Sequence, residues 1–265
     1  LFFAKGFEML IWMNKSRLRN AVKAMSWHFA GSLMVGLIVG ALVFGVWFPQ
    51  PFRQLAGGTE LFLLIMFVDL VCGPLLTFVL FNPAKPRREL ATDLSFVVIV
   101  QLAALAYGVW ALHIARPLYV VHERDRFKVI ALANLEAVEL RKLPKTLLPQ
   151  LFRGPQMAGL RNASNEENEK IMFESVQGGR DFGERPSFYI PYDASQAAKA
   201  YAKAKPLENF AKKHPSKQAD IDKLLTQAGA AASQLRYLPI IARQDWVAVL
   251  NPRGEIVGYI QGDGF

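Results

Sequence analysis

Residues 27–48 read WHFAGSLMVGLIVGALVFGVWF, with no Asp, Glu, Lys or Arg. Wound into a helix at ~1.5 Å per residue, the run reaches ~33 Å, enough to cross a hydrocarbon core of ~30 Å. Two more runs of that kind follow, about Leu61–Phe81 and about Leu94–Ile114. Trp27, Trp47, Phe48 and Trp110 stand near the run ends, where amphipathic rings settle at a lipid–water boundary. Beyond Ile114 the apolar residues come in short stretches between charged ones. The fold class that follows is a membrane protein, with a three-helix transmembrane bundle (27–114) followed by a soluble α+β domain (115–265).

A cleavable signal peptide competes for the first run, because Lys15, Arg17, Arg19 and Lys23 precede it. Its 22 residues exceed the about 7–15 of a signal core, and no small-x-small cleavage site follows, so it reads as an uncleaved span. Residues 1–26 are then a cytoplasmic segment. Within it Met13-Asn14-Lys15-Ser16-Arg17 has the look of a native start, with residues 1–12 upstream of it. Orientation comes from the flanks. The loop Asn82–Thr92 holds Lys85, Arg87 and Arg88, whereas Pro49–Glu60 holds only Arg53. Cytoplasmic loops collect Lys and Arg, so the N-terminus and second loop face inward and the C-terminal domain faces out. In a bacterium with two membranes this is the inner membrane and the periplasm.

Within the spans, Asp69 lies about a third of the way down span two, ~12 Å deep. A carboxyl there is costly and has to face a neighbouring helix or carry a proton. The antiparallel third span brings Tyr107 to that depth and Gln101 about a turn lower. An Asp69–Tyr107 hydrogen bond is one reading; docking of another protein's helix and proton transfer are the others. Ser32, Gly36 and Gly40 recur at steps of four, a groove that admits either a neighbouring span or a partner helix. Gly73-Pro74 interrupts span two, since proline supplies no N–H to the helix ladder. Cys72 reads as a buried side chain facing lipid or helix.

After Ala115-Arg116-Pro117, which leaves almost no linker, Leu118–Val121 and Phe127–Ala133 flank the polar turn 122–126, a hairpin signal. Helical composition marks 134–141, 166–176, 194–205, 206–213 and 216–228, the last with Ser216 as a candidate cap. Tyr237–Ala242 precedes a second hairpin, Trp246–Leu250 and Ile256–Ile260 around Asn251-Pro252-Arg253-Gly254. Hairpins at both ends suggest a sheet uniting the termini of the domain.

The chemistry-bearing patterns are sparse. With one cysteine there is no intramolecular disulfide and no cysteine-based metal site, and four scattered histidines lack ligand spacing. No nucleophile elbow, zinc-protease helix, phosphate loop or dinucleotide fingerprint is present. His122 beside Glu123 and Asp125 fits a metal or base site, or simply a charged turn. The Lys199–Lys217 stretch fits a solvated helix face, or contact with anionic headgroups or an acidic protein. Lys and Arg exceed Asp and Glu by 31 to 22, but the excess is shared between both halves and does not point to nucleic acid. The chain reads as a non-enzyme without cofactor or metal.

Several residues then carry a resemblance. They are Trp47-Phe48-Pro49, Val68-Asp69, Gly73-Pro74-Leu75-Leu76-Thr77, Phe81-Asn82-Pro83 with Lys85, and Asp93-Leu94. Gln101-Leu102 with Ala104-Leu105, Tyr107-Gly108, Arg116-Pro117, and Glu123 with Asp125-Arg126-Phe127 continue the pattern, and Leu238-Pro239, Arg243, Gly254 and Val257 close it. In these the chain resembles the TfpX/TfpZ type IV pilin accessory proteins of bacteria, most densely over 27–133. The resemblance implies an inner-membrane accessory protein that helps its cognate major pilin assemble into type IV pili without catalysis. Its partner would hold an apolar helix in the bilayer and a globular head outside. Asp69 then reads as an internal lock beneath an Arg116–Phe127 scaffold, since pairing with the pilin's own membrane acid would oppose like charges. A membrane-anchored periplasmic ligand sensor is the alternative, and an enzyme using Asp69 or His122 a third reading.

Overall fold

The structure is a computed structural model and describes residues 15–265; the Met13 start and residues 1–12 lie outside the described residues. It falls into two compact units. The first comprises residues 15–42 and Glu60–Leu112, and the second Val43–Thr59 and His113–Phe265.

Three long helices make the first unit: α1 (Lys15–Leu42), which continues as a wider π-helical turn over Val43–Trp47, α3 (Gly58–Leu80) and α4 (Arg87–Ala115). Over Arg17–Trp47, Gly58–Leu80 and Arg87–Ala115 they are long and apolar enough to cross a membrane. Glu60 and Glu89 stand in the first turns of α3 and α4, where a negative charge meets the positive end of the helix dipole. Small residues set the packing. A Cβ on Gly36 would lie 2.8 Å from the Met66 sulfur, and one on Gly40 would lie 3.1 Å from the Phe62 ring. The α1 groove is therefore filled from inside the unit, by α3. Because α3 begins at Gly58 and not Leu61, Asp69 sits midway along it, deeper than the span-two estimate.

The second unit is an eight-stranded mixed sheet. Its strands are β1 (Pro117–Glu123), β2 (Arg126–Ala131), β3 (Gln156–Leu160), β4 (Tyr189–Pro191), β5 (Lys205–Pro206), β6 (Arg236–Ile241), β7 (Trp246–Leu250) and β8 (Ile256–Gln261). The order is β4-β3-β1-β2-β6-β7-β8, with β5 on the edge of β6. Both terminal hairpins form, β1–β2 and β7–β8, and β2 pairs with β6 in parallel, which joins the two ends of the domain. The β7–β8 turn uses Gly254 at φ +76°, a left-handed conformation that costs glycine nothing. Strand β3 lies in the stretch 147–185, whose composition offers only the helix 166–176, and β4 follows just after that stretch. Gly159 weakens the strand signal of β3, yet a side chain there would strike Gln196.

Both sheet faces are covered. Trp246, Ala248 and Leu250 point into one core, and the alternate residues Val247 and Val249 into another. The first core also contains Phe52 and Leu55 of α2 (Phe52–Leu55), a short helix in the connection between α1 and α3. This connection therefore folds as part of the sheet domain. The remaining helices are α5 (Ala137–Leu140), α6 (Asn165–Val176), α7 (Ala194–Lys203), α8 (Leu207–Lys213) and α9 (Gln218–Ala228). Ser164 caps α6 in a reciprocal box with Glu167. Ser216 does not cap α9: it lies within a 3-10 turn, and Lys217 occupies the cap position. Cys72 is exposed, not buried.

Candidate functional site

A polar seam runs between the apolar helices. On α1 it consists of His28 and Ser32, on α3 of Asp69, Gly73 and Thr77, and on α4 of Gln101. Steps of four residues advance a helix by only ~40° per step, so each set shares a face. His28 Nδ1 lies 2.6 Å from Thr77 Oγ1. Gln101 Nε2 donates to the Asp69 carbonyl at 2.5 Å and to Ser32 Oγ at 3.3 Å. Gly73 makes this possible, because a Cβ there would overlap the Gln101 amide. Asp69 is only 3% exposed, and Ser32 and Thr77 are buried with it. The seam borders an open cleft of about 470 Å³, whose other walls include Trp27, Val35, Val98 and Leu105.

The expected Asp69–Tyr107 hydrogen bond does not form. Tyr107 is six residues from Gln101, which turns it ~240° around α4. It is largely exposed and packs beside Trp110 at 5.6 Å. Of the predicted residues the structure brings together Ser32, Asp69, Gly73 and Gln101, with Gly36, Gly40 and the buried Pro74 supporting them. His28 and Thr77 were missed, although each continues the step-of-four pattern of its helix.

The Arg116–Phe127 region divides by role. Arg116 is buried, and its Nη1 donates to the carbonyls of Gln150 (3.2 Å) and Leu151 (2.9 Å). Burial pushes its pKa below the ordinary arginine value. Its guanidinium lies 5.6 Å from the Trp47 ring, and Trp47 Nε1 also donates to the Leu151 carbonyl, at 2.9 Å. Phe127 is fully buried in the core, whereas Asp125 and Arg126 pair at the surface at 2.8 Å. The turn itself narrows to Arg124-Asp125, since β1 runs through Glu123 and β2 begins at Arg126.

His122 is therefore not part of a solvated turn. It is buried in β1, its Nε2 has no hydrogen-bond partner, and burial pushes its pKa down. Glu123 accepts from the Gly183 N–H at 3.3 Å, and burial pushes its pKa up against the opposing pull of Lys128. Both residues, with Arg124, Arg161, Gln196 and Lys199, line an open cavity of about 650 Å³. Among the described residues no group of three or more His, Cys, Asp or Glu is placed to hold a metal ion. In the basic stretch, Lys205 Nζ donates to the Gly264 carbonyl and Lys213 pairs with Asp263, so both secure the end of the chain.

Comparison with known proteins adds to this geometry. A family model described as Fimbrial assembly protein FimB matches residues 16–57, the segment holding His28, Ser32, Gly36, Gly40, Trp47 and α2. The fimbrial assembly proteins of Dichelobacter nodosus serogroups I and E1 are each 32% identical over 256 residues, covering 96% of this chain and 99% of the relative. That of serogroups C1 and C2 is 40% identical over 128 residues, 48% of this chain and 98% of the relative. No solved structure matches. With two relatives aligned over nearly their whole length, the chain belongs to the fimbrial assembly protein family.

Proposed function

We propose that this protein is an inner-membrane accessory factor that assists assembly or stability of its cognate type IV pilin, by non-catalytic contacts in the bilayer and the periplasm. The near full-length relation to fimbrial assembly proteins carries this reading. The geometry supplies a means. A cleft with one polar seam and apolar walls suits a helix that is itself mostly apolar, and the sheet domain offers an outer surface for a globular head. The α1 groove supports internal packing, so the cleft and not the groove is the docking surface in the membrane. Asp69 then serves as a structural group that Gln101 helps to hold. The test is a photo-crosslinking amino acid at Val98 in the cleft, compared with one at Val79, an exposed position of α3 that does not line the cleft. Pilin captured from Val98 and not from Val79 supports the reading. A deletion strain that keeps normal pilin levels and normal pili removes it.

One observation favours a second reading, a periplasmic ligand sensor. The cavity at His122 contains a buried ring nitrogen with no partner beneath several cationic side chains. A thermal shift of the full chain with small anionic metabolites that is lost in His122→Asn would support it. A flat response across the screen discards it.

A further inference from the structure

The loop of residues 148–153, Leu-Pro-Gln-Leu-Phe-Arg, leaves three large apolar side chains open within six positions. Leu148 is 36% exposed, Leu151 47% and Phe152 75%. The loop is nevertheless firmly held. Leu147 on one side is buried in the sheet core, and on the other side a Cβ at Gly154 would lie 3.2 Å from the Val46 carbonyl. Between them the Gln150 and Leu151 carbonyls are taken by Arg116 and Trp47. Trp47 is the last residue of one membrane-length helix, and Arg116 directly follows the last residue of another.

We propose that residues 148–153 are a lipid-binding loop that inserts Leu151 and Phe152 into the outer interface of the bilayer. The proposal rests on the membrane reading above, and the loop's ties to the span ends select lipid as the occupant. In that reading Trp47 and Ala115 mark the lipid–water boundary, and the loop's backbone is bonded to Trp47 itself and to Arg116. Apolar side chains fixed at that level meet headgroups and the first acyl carbons, where Trp, Phe and Leu partition well. Arg153 follows directly, a cation at the height of lipid phosphates. Exposed apolar side chains elsewhere, such as Met172, Phe173 and Val176 on α6, have no comparable tie to the span ends.

The experiment uses the full chain with Cys72→Ser in nanodiscs of phosphatidylethanolamine and phosphatidylglycerol, with an environment-sensitive fluorophore on single introduced cysteines. Labels at Leu148→Cys and Phe152→Cys are compared with Val79→Cys in α3 and Arg253→Cys in the exposed β7–β8 turn. Nitroxide placed near the lipid headgroup is expected to quench the two loop labels severalfold more than the label at 253. The double change Leu151→Ser and Phe152→Ser is expected to reduce quenching at 148 severalfold. The proposal is overturned if the loop labels behave like 253 while lipid nitroxide quenches 79, or if the serine changes leave 148 unaffected. If no lipid nitroxide quenches 79 either, the membrane reading itself has failed.

Discussion

Gln101 ties the three apolar helices together: from α4 its Nε2 reaches the Asp69 carbonyl on α3 and Ser32 Oγ on α1. Interhelical hydrogen bonds in membranes average ~0.6 kcal/mol and reach ~1.7, because the separated helices find other partners. Gln101→Leu is therefore expected to cost about 1 kcal/mol in reversible unfolding from mixed micelles. Gly73→Leu should cost more, about 1–3 kcal/mol, because it forces a side chain into the space of the Gln101 amide. Equal stability of wild type and Gly73→Leu would show that the close approach does not hold the helices. A third residue predicts a pH effect. The folded-state pKa of His122 is lowered, so the neutral ring is favoured in the fold. Its stability contribution is present above the unfolded value of ~6.5 and lost as pH falls through the lowered folded one. Thermal melts from pH 7.5 to 5 should show wild type losing stability relative to His122→Asn, and parallel curves would refute this. Much of the membrane seam was legible, because Ser32, Asp69 and Gln101 are polar residues inside apolar runs. His28 and Thr77 escaped because each lies close enough to a run's end to pass for a flank residue. The Tyr107 partnership failed because depth was compared without the rotation around α4.

At the scale of elements, α2 was the least visible. The segment Pro49–Glu60 served only to count charge, and four residues are too few to show helical periodicity. In the structure Phe52 and Leu55 are buried in the sheet core, Phe52 meets Tyr259 ring to ring at 6.0 Å, and the Gln244 N–H bonds to the Leu55 carbonyl at 3.3 Å. The hairpins were legible for the opposite reason: β-branched runs around short polar turns carry their own register. Strands β3 and β4 were hidden because their pairing is set by β1 and by the approach of Gln196, not by local pattern. Truncating a buried Leu or Phe side chain costs about 2–5 kcal/mol. Leu55→Ala and Phe52→Ala should accordingly destabilise the sheet domain by that amount, measured by chemical denaturation of the full chain in detergent. The fragment 115–265 should expose the vacated core and bind a hydrophobic dye, and joining residues 43–59 to it should suppress the binding. Dye binding equally low in both fragments would show that α2 is dispensable.

For the whole molecule, orientation governs which surfaces meet which compartment. Positive charges occupy the N-terminal part of α1 at Lys15, Arg17, Arg19 and Lys23, the α3–α4 connection at Lys85 and the first turn of α4 at Arg87 and Arg88, whereas the α2 segment has only Arg53. Lys85 is bridged to Glu89 at 3.0 Å and to Asp93 at 2.7 Å, but acids contribute little to the rule, so its vote stands. In the membrane reading proposed above, the bias predicts α2 and the sheet on the same side of the membrane, and that agrees with a fact of a different kind. Phe52 and Leu55 lie in one core with Val120 and Leu238, which requires both segments to share a compartment. In that reading α3 and α4 are the two crossings that separate them, an even number. Charge counting and core packing thus agree on the parity, and only charge supplies its sign. Alkaline phosphatase fused after Phe265 or within residues 53–56 should therefore be active, and a fusion near Ala84 inactive, with a cytoplasm-only fluorescent reporter giving the reverse. Replacing Lys85, Arg87 and Arg88 with Gln while adding lysines beside Arg53 should lower phosphatase activity at the C-terminal fusion. A fluorescent C-terminal fusion in the unaltered chain would invert the orientation and with it the compartment of the sheet domain.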